Sequence, residues 1–271
     1  MPRFAVMTFM FKPLWTQGQT TIPQLLELFA KSGVEGVEPF QRDFVENPAL
    51  LPDYRRWTSD LGLSVPCVDV MCNLALANPA ERQANRDALR QGLDICKELG
   101  ASIAHVAGHK NTENLPAHEC RQRIAEDLLA VADLAQSYGL TLAFEDFPIP
   151  GLIASREECR ELLDLCKGKV KFVFDTGNFI AAGQNAIDAF PLLADDTCHI
   201  HIKDFKLDPS IPRGFRGTPL TQGDIPNEQV GQLFSQRGYD QWVALETSGG
   251  SVTTPAYAME HELPLLRKWF R

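Results

Sequence analysis

Long hydrophobic runs are missing from this chain. Charges such as Arg55 and Asp60 break even its early apolar stretches, and none approaches the roughly 20 residues of a membrane span. The N-terminal MPRFAVMTF has a basic residue but then alternates like a strand. It lacks the apolar region and small-residue cleavage site of a secretory signal. A cysteine framework is missing too: seven thiols, an odd number, are scattered through expected helices and strands. That pattern fits reduced, mostly buried thiols in a cytoplasmic protein. Positive charge is short, with 26 Lys and Arg against 35 Asp and Glu and a net charge of -9. No basic face is present for a nucleic-acid backbone, so neither nucleic acid nor membrane is expected as a partner. No Gly-rich nucleotide fingerprint opens a helix, and no Gly, Ser and Pro linker marks a boundary. One domain spanning residues 1–271 is therefore expected, with 44% hydrophobic content to build its core.

What the chain does have is a recurring punctuation: an amphipathic helix, a small or polar residue, Gly, then an apolar strand. It occurs at Gly33, Gly62, Gly100, Gly139 and Gly238, with Gly168 as a looser copy. Glycine just past a helix takes the left-handed conformation that closes the last turn. The pattern predicts strands near 3–9, 34–39, 63–71, 101–107, 140–146, 170–175, 197–203 and 241–246. Helices are predicted over 22–32, 48–61, 79–99, 117–138, 155–167, 185–194, 226–237 and 254–270. Ser155 with Glu158 and Thr21 with Gln24 fit capping boxes, and Pro79, Pro116 and Pro226 stand at or near helix starts. Eight strict alternations predict an α/β fold, a closed (β/α)8 barrel. The one long irregular segment, 204–222, follows the seventh strand and so falls on the catalytic face.

Four of the strands end in a residue that is costly to bury unless paired, hydrogen-bonded or metal-bound. These are Glu145 in LTLAFEDF, Asp175 in VKFVFDTGN, His201 in TCHIHIKD and Glu246 in WVALETSGG. Their separations of 30, 26 and 45 residues are one βα unit each, the last lengthened by the long segment. Any one alone is more often a helix cap or a salt-bridge partner. Together they place three carboxylates around one imidazole, a like-charge conflict that a divalent cation removes. The donor set suits Mn²⁺ ahead of Mg²⁺, Co²⁺ or Zn²⁺.

The runs GLTLAFEDF, FVFDTGNFIAAG, HIHIKDF, QGDIP and WVALET resemble the xylose isomerase-like TIM-barrel family, and the likeness spans the whole chain from GVEGVEPF to the last helix. That family holds sugar and sugar-phosphate isomerases and epimerases, inosose and dehydroshikimate dehydratases, and endonuclease IV-type repair enzymes. The resemblance implies a metal-ligand set of Glu145, Asp175, His201 and Glu246, with Glu145 and Glu246 doubling as acid and base. It implies proton abstraction from a keto sugar, sugar acid or sugar phosphate through an enediolate, giving isomerisation or epimerisation. If the enolate instead expels a β-hydroxyl, the same site is a dehydratase of an inosose or dehydroshikimate-type ketone.

The chain departs from the family pattern in two places. Asn178 stands where many relatives have His, and Leu207 stands where sugar epimerases tend to have Arg. Arg213 and Arg216 in the long segment are candidates for that arginine's role. With Lys203 and Lys206 they gather positive charge that suits an anionic substrate. Glu38 and His109 are further candidates for substrate contact, Glu38 weighed against a structural salt bridge and His109 against packing. His105 and His199 are read as barrel-interior residues, His199 one layer below His201. Cys67 and Cys72 are read as wall or core. An abasic-site endonuclease is disfavoured by Asn178 and the acidic balance, and a non-catalytic barrel by the intact four-residue set. Oligomeric state stays open, a homodimer being compatible with the fold.

Overall fold

The computed structural model describes residues 1–149, 152–248 and 253–271. Its centre is built from β1 (Arg3–Met7), β2 (Gly36–Glu38), β3 (Cys67–Met71), β4 (Ile103–Ala107), β5 (Thr141–Glu145), β6 (Lys171–Asp175) and β7 (Thr197–Ile202). A hairpin of β8 (Asp204–Leu207) and β9 (Phe215–Thr218) follows, and β10 (Trp242–Leu245) completes the set. The eight central strands are all parallel, in the order β2-β1-β10-β7-β6-β5-β4-β3. The two ends of this sheet meet. Gly36 bridges to Ser64 and Phe40 to Asp69, and the Val37 amide donates to the Ser64 carbonyl at 2.9 Å. The result is the expected (β/α)8 barrel, with its thinnest seam between β2 and β3.

Period-two alternation sorts each strand into two environments. Outward residues such as Val68, Val70, Val106, Phe144, Phe172, Ile200 and Val243 join the main core under the helices. Inward, a small cluster of Cys67, Ile103, Ala143, Val173 and Cys198 and another of Ala5, Met7, Trp242 and Ala244 plug the lumen. Trp242 fits because its neighbour across the wall is Gly36, where a Cβ would lie 2.8 Å from the indole ring. Above these plugs the inward positions turn polar, and the site begins there.

The connecting helices carry the chemistry expected of them. Thr21 and Ser155 accept from the amides of Gln24 and Glu158, whose side chains accept in return from the cap amides at 3.0 Å each. All six punctuating glycines have φ between +68° and +76°. The differences from expectation are local. Strand three starts at Cys67 rather than 63, and β10 stops at Leu245, leaving Glu246 just beyond it. Short helices at Lys12–Thr16 and Gln41–Glu46 lie where loops were expected. The segment 204–222 is not irregular throughout, because β8 and β9 pair antiparallel within it. All seven cysteines are free and buried. Among the described residues no helix is long and apolar enough to cross a membrane.

Candidate metal centre

At the C-terminal ends of the strands, Glu145, Asp175, His201 and Glu246 each bring a ligand atom within 4.8 Å of the others'. The register explains the convergence: Asp175 is level with His201 across β6 and β7, and β5 and β10 flank them. The Asp175 side chain is aimed by the turn after β6. Its Oδ1 accepts from the amides of Gly177 (2.7 Å) and Asn178 (3.0 Å), as an Asx turn does. Its own amide donates to Asp146 Oδ1 at 3.0 Å. The other oxygen, Oδ2, faces Lys203, whose Nζ lies 2.9 Å away and only 2.7 Å from Glu246 Oε2. An ammonium thus sits between two of the four expected ligands.

A second polar layer lies beneath. Glu38 reaches across the lumen from β2 to both histidines of β7, at 2.8 Å to His199 Nε2 and 3.0 Å to His201 Nε2. The other nitrogen of His201 is 2.6 Å from Glu145 Oε1. On β3 and β4, Asp69 pairs with His105 Nδ1 at 2.6 Å, and His105 Nε2 points toward Glu145 at 3.9 Å. Glu38 therefore meets histidines rather than the open cavity. Asp69 and Asp146 were missed by sequence reading. A detectable signal existed for Asp69, a carboxylate at an inward position of the apolar run CVDVM. Asp146 is masked by its neighbour Glu145.

These contacts pull the titrating groups in opposite directions. Burial lifts the Glu145 carboxyl, but the His201 hydrogen bond and the charges of His105, His201 and Lys203 outweigh it and hold the group at about 2. Burial carries Glu246 up to about 8, Asp175 and Glu145 adding to the rise while Lys203 opposes it. Burial also raises Asp69 to about 7, aided by Glu38. His201 is held well up despite burial, by Glu38 and Glu145. Six carboxyl groups (Glu38, Asp69, Glu145, Asp146, Asp175, Glu246) face one ammonium and three imidazoles in this mouth. The oxygen-rich donor set of the upper four residues fits a divalent cation. In the lower clusters, Glu38 hydrogen-bonds His199 and His201, and Asp69 hydrogen-bonds His105.

Glu145 and Glu246, the two ends of the polar half-ring, line a cavity of about 400 Å³, while Asp175 and His201 lie buried behind them. Its wall is apolar, from Phe9, Met10, Phe40, Met71, Phe147 and Phe205, none of which was singled out from sequence. Asn178 lines it, its amide Nδ2 donating to the Asp146 carbonyl at 2.7 Å. Of the basic residues, Lys203 and Arg213 line the cavity. Arg216 instead lies outside it, more than half exposed and 3.5 Å from Asp208, because strand alternation turns it away. His109 is buried and also outside the cavity, its Nδ1 accepting from the Leu74 amide at 3.3 Å. The hairpin register places Leu207 opposite Phe215 and leaves it exposed.

Comparison with known proteins agrees with this architecture. Residues 26–269 match the family described as xylose isomerase-like TIM barrel. A protein of Mycoplasma pneumoniae named probable L-ribulose-5-phosphate 3-epimerase is 26% identical over 180 residues, 63% of this chain and 56% of that one. An inosose dehydratase of Lacticaseibacillus casei is 24% identical over 159 residues, 54% of this chain and 52% of that one. The chain thus spans only about half the length of either relative. Among solved structures, the IolI protein with a bound zinc atom superposes with a TM-score of 0.82 at 17% identity, covering 99% of this chain and 98% of that one. The chain belongs to the xylose isomerase-like TIM barrel family.

Proposed function

We propose that the protein is a metal-dependent isomerase or epimerase that abstracts a proton beside the carbonyl of a keto sugar, sugar acid or sugar phosphate. The observation that carries this reading is the convergence of Glu145, Asp175, His201 and Glu246 on one point at the strand ends, with Glu145 and Glu246 opening onto the cavity. These four would hold the metal, Mn²⁺ being the best match to the donors. When bound, it supplies Lewis-acid charge that favours the enediolate. The protein's own groups handle the proton. Glu145, 2.6 Å from His201, and Glu246, 2.7 Å from Lys203, stand at the two ends of the ligand set and are assigned the base and acid roles. Glu38 locks the His201 ring by holding its far nitrogen, a support that metal-binding histidines commonly need. Asn178, held at its Nδ2, keeps its Oδ1 without a hydrogen-bond partner among the described residues, which supports a role in meeting a substrate hydroxyl.

A second reading is dehydration of an inosose or dehydroshikimate-type ketone, in which the same proton loss is followed by departure of a β-hydroxyl. The exposure of Leu207 favours it, since the position where sugar epimerases tend to carry an arginine contributes nothing to this cavity. The acidic balance supports a small-molecule substrate over nucleic acid, and a cytoplasmic location suits seven reduced thiols.

The test has two arms. Protein purified without chelator is expected to carry a stoichiometric divalent metal and, once stripped, to gain thermal stability with Mn²⁺ or Co²⁺. Incubated in D₂O with keto sugars, keto acids and inososes, it is expected to wash deuterium into at least one of them. A metal-free protein indifferent to both ions would sink the metal assignment. Absence of exchange across the panel would sink proton abstraction.

A further inference from the structure

We propose that Arg213 reads the charge of the substrate, so that the cavity selects an α-hydroxyketone whose far end is an anion, carboxylate or phosphate. This deepens the reading of the site given above and rests on it. Arg213 stands where the hairpin loop re-enters β9, and its guanidinium lies 4.3 Å from the ring centroid of Phe215 and 5.2 Å from that of Phe205. Stacking on two rings fixes the plane of the group and leaves its N–H edge free. Arg213 lines the cavity, yet makes no ion pair among the described residues.

The other cations of the segment are accounted for. Lys203 is held by Asp175 and Glu246, Arg216 lies beside Asp208, and Lys206 is exposed outside the cavity. The carboxylates lining the cavity belong to the floor, apart from Asp204, whose oxygens accept from the amides of Gly223 (3.0 Å) and Ile225 (3.2 Å). Arg213 is exposed on its outer side, and where it packs against the cavity partial desolvation works against its charge, with Glu246 the opposing influence. A ligand anion would supply the missing partner through a forked, charge-assisted pair. Phe9, Met10, Phe40 and Met71 offer no hydrogen bonds to the hydroxyls of a long neutral sugar, so the wall penalises that alternative.

Three probes share one α-hydroxyketone head and differ in charge: dihydroxyacetone, hydroxypyruvate and dihydroxyacetone phosphate. Binding to Mn²⁺-loaded protein is read by calorimetry. At least one anion is expected to bind about tenfold or more tighter than dihydroxyacetone. Arg213→Gln is expected to erase that preference while leaving dihydroxyacetone unchanged, and Arg213→Lys to restore part of it. Which anion loses affinity identifies carboxylate or phosphate as the matched group. Arg90→Gln, which removes the same charge from an outer helix, is expected to change nothing. Equal binding of all three probes, or a preference that survives Arg213→Gln, overturns the inference and leaves the site reading standing. Failure of all three to bind overturns the inference, while the site reading is judged by its own metal-content and deuterium-exchange arms.

Discussion

Lys203 is the residue through which charge balance in the mouth is maintained. Its Nζ meets Asp175 and Glu246 at 2.9 and 2.7 Å in a buried setting, so removing it strands two carboxylates. Breaking one side of such a pair typically costs about 3–5 kcal/mol. We expect Lys203→Met to destabilise metal-free protein by that amount in thermal unfolding, and added Mn²⁺ to recover much of it. A loss that Mn²⁺ cannot recover would mean that the cation does not sit among these carboxylates. Glu145→Gln and Glu246→Gln keep the shape of the site and remove the two proposed proton carriers. Each is expected to abolish solvent-deuterium exchange while leaving the circular dichroism and fold intact. Exchange retained in both would remove the two glutamates from the acid and base roles. These four strand-end groups were legible because a polar residue closing an apolar run stands out. Asp69 carried the same kind of signal, a lone carboxylate inside the apolar run CVDVM, whereas Asp146 was harder, since nothing in one chain tells which of two adjacent polar residues turns inward.

At the level of elements, the turn after β6 and the end of β7 are packed around a missing side chain. A Cβ on Gly177 would lie 2.6 Å from Lys203 Cγ and 3.1 Å from Phe205. Gly177→Ala must therefore displace the lysine stem, with a cost of about 1–3 kcal/mol for an overpacked core. Its exchange rate is expected to fall along with its stability. Ser155→Ala, which removes a capping box from an outer helix, is expected to cost about 1 kcal/mol and leave exchange unchanged. Equal effects on exchange would show that general softening, not the lysine's position, matters. The helix-Gly-strand rhythm made the repeating units legible because each positive φ has a local steric cause. The β8–β9 hairpin was not legible: FRGT and DFKL lack a clean alternation, and their pairing is set by the cavity they cover.

For the whole molecule, acid sensitivity should trace in part to His109, which burial and the nearby His105 charge push down to about 4. In the unfolded chain its imidazole takes a proton below about 6.5. The folded state refuses that proton until about 4, so this contribution is full above 6.5 and is lost as pH falls from 6.5 toward 4. Each pH unit in that interval is worth about 1.4 kcal/mol, which brings the whole to about 3 kcal/mol. His109→Asn should flatten that stretch of the plot of unfolding free energy against pH; an unaltered slope would assign the acid sensitivity elsewhere. The seam between β2 and β3 has a wider consequence. The seam itself is bridged by backbone contacts to Ser64 and Asp69, and the three-residue β2 is also anchored to the barrel by Glu38 gripping both histidines of β7 from across the lumen. Support of the proposed metal ligand His201 and anchoring of β2 then share one carboxylate. Variation at Glu38 is expected to disturb both together, and amide hydrogen exchange along β2 should report on how well the His201 ring is held.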